Sequence, residues 1–228
     1  MSHARGSTKS GSTAARRDVA TVSALSSGAC RGILTLEGMS FPCALGRAGC
    51  RARKREGDGA TPAGLWRLLA VLYRSDRVRR PRTHLPVRAI RQRDGWCDAP
   101  ADRNYNRPVR HPYPASAERL WRTDALYDIV VVLDYNDRPR VRGRGSAIFM
   151  HVAKPGYAPT EGCIALARPH LLRLLERMGP LLAVAVLATK KAPEAFASGV
   201  RSTYRGSGVL RQATRSDGAR TAPQGNPQ

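Results

Sequence analysis

Long apolar runs are missing from this sequence. The longest in its C-terminal half covers residues 181–188, far too short to cross a bilayer. Residues 1–28 carry scattered basic side chains among Ser, Thr and Gly, without the continuous apolar segment of a secretory signal. That fits a protein that stays inside, one that leaves by another route, or one whose start lies elsewhere. Cysteine is scarce and odd in number: Cys30, Cys43, Cys50, Cys97 and Cys163. There is no C-x-x-C pair, and His84 and His111 stand at no ligand spacing, so a structural zinc site is not expected. Five thiols are too few for a disulfide framework, and an odd count leaves at least one free or paired between chains. Lysine is rarer still, five of 39 basic residues, so arginine supplies 34.

Against those absences stands a chain of 228 residues with 42% hydrophobic content, enough for one domain with a real core and two tails. Its net charge of +22 has two readings. One is attraction to a polyanion such as nucleic acid, an anionic membrane or a carboxylate-rich wall polymer. The other is arginine scattered over solvated surface by GC-rich codon usage. The arginines run along the whole chain instead of forming one block, which favours the second.

The boundaries follow composition. Residues 1–28 read as a flexible tail, 29–188 as the folded domain, and 189–228 as a flexible basic tail. Two short apolar runs, residues 33–36 and 41–45, flank Glu37-Gly38 as in a hairpin. Residues 54–64 form a loop of charges, glycines and a proline. Residues 65–73 read as strand, 74–113 as irregular excursion with Val87 and Ile90 its only strand material, and 114–121 as a short helix. Residues 127–133 are continuous and β-branched, as expected of a strand covered on both faces; 147–152 and 181–188 follow suit. Pro169 opens a helix whose Leu171, Leu174, Leu175 and Met178 fall on one face, and Gly179-Pro180 ends it. The fold class is mainly β, a sandwich or open barrel with one or two helices.

The chemistry concentrates in residues 146–166. His151 ends an apolar run, a loop with Pro155, Gly156 and Pro159 follows, and Cys163 comes directly after Gly162. A thiol attacks a carbonyl as its thiolate, and an imidazole that takes its proton produces the ion pair of cysteine acyltransferases. The N–H groups of Gly162 and Cys163 can stabilise a developing oxyanion, at about 3 kcal/mol per donor.

Thr160-Glu-Gly-Cys-Ile-Ala-Leu166, preceded by a strand ending in His151, resembles the signature of the L,D-transpeptidase catalytic domain, the YkuD-like family. Gly59-Ala-Thr-Pro-Ala-Gly64 resembles that family's upstream Thr-Pro-x-Gly turn, and Gly145-Ser-Ala-Ile-Phe-Met-His151 its histidine-bearing strand. The likeness spans residues 32–188. It implies an L,D-transpeptidase fold in which Cys163 is the nucleophile, His151 the general base, Gly162 and Cys163 the oxyanion donors, and Thr160 a loop-ordering residue. Val152, which follows His151, has no polar side chain, so a backbone carbonyl is expected to orient the imidazole. The implied reaction cleaves a peptidoglycan stem tetrapeptide at its third residue, releases D-alanine and forms a 3→3 cross-link with a neighbouring stem. No cofactor or metal is implied. The implied partners are stem peptides at the cell envelope or periplasm, with no specific nucleic acid. Two departures, Glu161 where many members have His and a short His-to-Cys loop, mark a divergent subgroup; a third, Ala165 in place of a common Arg, removes a cation that could meet a substrate carboxylate.

Two other readings share the residues. A hydrolytic L,D-carboxypeptidase or endopeptidase would use water as acceptor in the same fold, and a basic polyanion-binding protein would carry a degenerate site. Tyr105-Asn106 and Tyr127 fit a turn and a core tyrosine better than a substrate cleft. Trp66, Trp96 and Trp121 read as packing rather than carbohydrate platforms.

Overall fold

In a computed structural model that describes residues 19–179 and 183–188, Glu37 and Gly38 adopt φ of 47° and 78°. This left-handed pair makes the tight turn that matches strand twist. It joins β2 (Arg31–Leu36) to β3 (Met39–Ala44) in an antiparallel hairpin. Around it closes a barrel-like sheet with β1 (Val19–Ala24), β6 (Gly64–Tyr73), β11 (Ile129–Leu133), β12 (Phe149–Val152), β13 (Ile164–Leu166) and β14 (Ala183–Leu187). The order is β11-β12-β13-β3-β2-β1-β14-β6, and β6 closes the ring by pairing with β11. A short β7 (Val87–Ala89) adds parallel to the far half of β6. Most neighbours are antiparallel; β1–β14 and β12–β13 are parallel.

Alternation of side chains sorts the strands into two cores. Ile129, Val131 and Leu133 of β11, with Met150 and Val152 of β12, join the barrel interior. The single α-helix among the described residues, α1 (Arg168–Arg177), adds Leu171, Leu174 and Leu175 to it. Val130 and Val132 face the other way, with Phe149 and Cys163, toward Trp96, Leu120 and Tyr127. That second layer is a three-stranded antiparallel sheet, β10 (Ala117–Arg119)-β8 (Asp94–Cys97)-β9 (Pro108–Arg110). A two-strand parallel bridge, β4 (Cys50–Arg51) with β5 (Thr61–Pro62), braces the loop before β6.

Three expectations are corrected. Residues 19–24 are not tail: β1 lies between β2 and β14, with Ala20 and Val22 wholly buried. Its Ala, Thr and Ser composition hid it, because a strand hydrogen-bonded on both edges needs only small apolar side chains to belong to a core. Residues 74–113 are not simply irregular, since β7, β8 and β9 lie there, and the helix expected over 114–121 is β10. These strands are three or four residues long, too short for periodicity to declare. The tails expected over 1–18 and 189–228 lie outside the described residues. Five thiols are free: Cys43, Cys97 and Cys163 buried, Cys30 and Cys50 half-buried.

Leu174 is wholly buried between helix and barrel. Leu174→Ala is expected to cost about 2–5 kcal/mol, read as a lower urea midpoint with an unchanged slope.

Candidate active site

β12 carries His151 on the same face as Phe149, toward the second layer, and the parallel neighbour β13 sets Ala165 beside it. Cys163 immediately precedes β13, one pleat period before Ala165 and on the same face. His151 and Cys163 therefore line one cavity of about 520 Å³, with Tyr127, Ala165 and Thr160. That volume suits a small-molecule or peptide segment.

Each side chain is aimed by its surroundings. The Nδ1–H of His151 donates to the Val152 carbonyl at 2.9 Å, because a carbonyl can only accept. The lone pair is then on Nε2. The Tyr127 ring meets the imidazole edge-on, with centroids 5.4 Å apart. Cys163 Sγ donates to the Ala147 carbonyl at 3.2 Å and accepts from the Phe149 N–H at 3.4 Å. Ala147 is left-handed, φ 51°, a conformation that costs a non-glycine residue about 1 kcal/mol or more. Asn106 holds it there, its Oδ1 accepting from the Ala147 N–H at 3.1 Å and from Trp96 Nε1 at 2.9 Å. Asn106 thus acts from behind the cavity, as does Tyr105, whose hydroxyl donates to Glu56 and accepts from the Gly145 N–H.

The loop before Cys163 is pinned by Thr160. Its hydroxyl donates to the Cys163 carbonyl at 2.7 Å and accepts from the Gly162 N–H at 3.1 Å. The Gly162 N–H, expected to face an oxyanion, is therefore occupied in this structure. Gly162 has φ 128°, and a Cβ there would sit 2.6 Å from the Ala60 carbonyl oxygen. Only glycine allows that approach. Thr61, next to Ala60, accepts from the Gly46 N–H at 2.8 Å, and Thr160 is bonded to the chain on either side of Gly46. The Thr-Pro turn and the Thr-x-Gly-Cys block are thus one packed unit. Glu161 also lines the cavity and makes an ion pair with Arg47, both largely exposed.

Burial sets the protonation state. It pushes the Cys163 thiol up to about 12, reinforced by the Glu118 charge and opposed by the Phe149 N–H. It pulls His151 down to about 4, with the Val152 carbonyl opposing. The resting pair is a neutral thiol and a neutral imidazole, not the ion pair that adjacency implied. Desolvation, the largest cause at each group, disfavours the charged form of both.

The cavity's opposite wall was not legible in the sequence. Glu118 of β10, Asp98 just after β8, and Arg122 line it, from strands whose short polar segments carry no motif. Tyr127, read from the sequence as core, is both core and cavity wall.

A family model described as the L,D-transpeptidase catalytic domain (YkuD) matches residues 35–189, so the chain belongs to that family. Its membership agrees with the mainly β, barrel-like architecture. No curated protein and no solved structure matches the chain.

Two consequences of the neutral pair are measurable. Alkylation of Cys163 by iodoacetamide, followed by peptide mass mapping, is expected to be slower at pH 7 than that of glutathione and still rising at pH 11, because thiolate appears only near 12. Stability follows the opposite flank for His151. Its folded value lies below its usual 6.5, so its contribution is complete above pH 6.5 and lost as pH falls through about 4. The urea midpoint of the wild type is expected to fall more steeply over that window than that of His151→Gln.

Proposed function

We propose that this chain is a cysteine-dependent peptidoglycan L,D-transpeptidase working at the cell envelope. The observation that carries the reading is the placement of Cys163 and His151 on one cavity, with His151 held by Val152 so that its Nε2 is the free base. Cys163 attacks the carbonyl of the third residue of a stem tetrapeptide. Because both groups rest neutral, the proton passes from Sγ to His151 Nε2 as the S–C bond forms, and no standing thiolate is needed. The Cys163 N–H, joined by the Gly162 N–H once Thr160 releases it, stabilises the tetrahedral oxyanion. His151 then returns its proton to the leaving amine, and D-alanine departs. The side-chain amine of a diamino acid on a neighbouring stem takes the acyl group, giving a 3→3 cross-link. Thr160 keeps the backbone of Cys163 in place throughout.

The family is one of cell-envelope enzymes, and no helix among the described residues is long and apolar enough to cross a membrane.

Incubation with a stem tetrapeptide is expected to release D-alanine and leave a tripeptide adduct on Cys163, seen by intact-mass and peptide mass spectrometry. Cys163→Ala is expected to show neither. His151→Ala is expected to fold and to lose about 10²–10⁴-fold in kcat. A folded wild type that forms no adduct removes the acyl-transfer reading. Product analysis with a diamino acceptor separates cross-linking from hydrolysis.

A further inference from the structure

In a chain of net charge +22, most described carboxylates meet an arginine or a lysine. Glu56, Asp98 and Glu118, which line the cavity, do not. Glu56 is satisfied by the hydroxyls of Tyr105 and Ser146. Glu118 and Asp98 are not so provided. Glu118 stands on β10 opposite Trp96, and its Oε1 accepts from the Tyr127 hydroxyl at 2.6 Å. Its Oε2 has no hydrogen-bond or ion-pair partner among the described residues. Asp98 Oδ1 is fully buried and equally without a partner among them. Two cations also line the cavity, Lys154, which is exposed, and Arg122, which is committed to Asp124 by two hydrogen bonds of 2.8 and 2.7 Å.

A half-buried carboxylate that makes no ion pair is costly, and a cavity wall holding two is matched to a cationic ligand. Burial raises the Glu118 carboxyl above its usual range, against the Tyr127 hydroxyl and the Arg122 charge and with a smaller push from the Asp98 charge, so it is a better proton acceptor than a solvated carboxylate. Its charge is also felt at Cys163, across the same cavity.

Building on the transpeptidase reading above, we propose that Glu118, backed by Asp98, receives the ammonium group of the acceptor and takes its proton. A primary amine with a pKa of about 10.4 is protonated at neutral pH and has no lone pair with which to attack. The ammonium gives one proton to Glu118 Oε2. The neutral nitrogen then attacks the thioester carbon and forms the N–C bond, passing a second proton to His151 Nε2. The C–S bond breaks, its electron pair stays on Cys163 Sγ, and His151 returns the proton to sulfur. Glu118 releases its own proton to solvent. Water as acceptor requires none of this, so Glu118 governs the partition between transfer and hydrolysis.

The test compares wild type with Glu118→Gln, whose amide oxygen can still accept from Tyr127. Each is loaded with stem tetrapeptide at pH 7 and given either a diamino-acid acceptor or hydroxylamine, which is already neutral at that pH. Glu118→Gln is expected to form the thioester but to lose about 10²-fold in its ratio of transfer to hydrolysis with the diamino acid. Its ratio with hydroxylamine is expected to match wild type, and raising the pH toward the amine's pKa or substituting Glu118→Asp is expected to recover transfer. If Glu118→Gln does not fold, Asp98→Asn is read the same way, with a smaller loss of the same acceptor dependence. An unchanged ratio with the diamino acid, or an equal loss with both amines, overturns the proposal while leaving the transpeptidase reading intact. Absence of any thioester on the wild type overturns that reading and this proposal with it.

Discussion

The site depends on one packing constraint: β12 runs between two apolar layers and pairs in parallel with β13. Being covered on both faces, β12 must send Met150 and Val152 into the barrel and Phe149 and His151 into the space under the second sheet. A slip of one residue would exchange the two sets and bury the imidazole among leucines. Parallel pairing with β13 then returns the chain along the same direction, which puts Cys163 on the face His151 already occupies. Residues 153–163 are the crossover that makes this possible, and the turn at Pro155–Tyr157 shortens it.

From that constraint follows the electrical character of the pair. The second layer that fixes His151 also strips water from it, and the same is true of Cys163, so both rest uncharged. The left-handed Ala147, the Thr160 hydroxyl and the bare Cα of Gly162 against the Ala60 carbonyl then set orientation without supplying charge. Charge enters from the far wall, where Glu118 and Asp98 face the cavity without an ion pair. Such an arrangement favours chemistry in which protons move only when a substrate is present.

Much of the barrel was readable because its strands are long enough to show a pattern. The Glu37-Gly38 hairpin, the apolar 65–73 segment, the β-branched run ending at Leu133 and the α1 leucines all appear where expected. The strands β8, β9 and β10 did not, since they are ordered by pairing with one another and by Trp96 packing on Phe149 at 5.1 Å, contacts distant in sequence. Strand β1 escaped for a related reason: its hydrogen bonds go to β2 and to β14, some 160 residues away.

Sequence alone determined the residue types available for chemistry, their order, and the local glycines and threonines that a tight Cys-bearing turn requires. Those are properties of neighbours along the chain, which spacing and backbone sterics govern. Only the tertiary structure decided that the Thr61 turn abuts Gly162, that Val152 orients His151, and that burial leaves the pair neutral. It alone also decided that two unpaired carboxylates form the opposite wall. Each of those depends on which groups exclude water from which others, and solvent exclusion is a property of the assembled layers rather than of any segment.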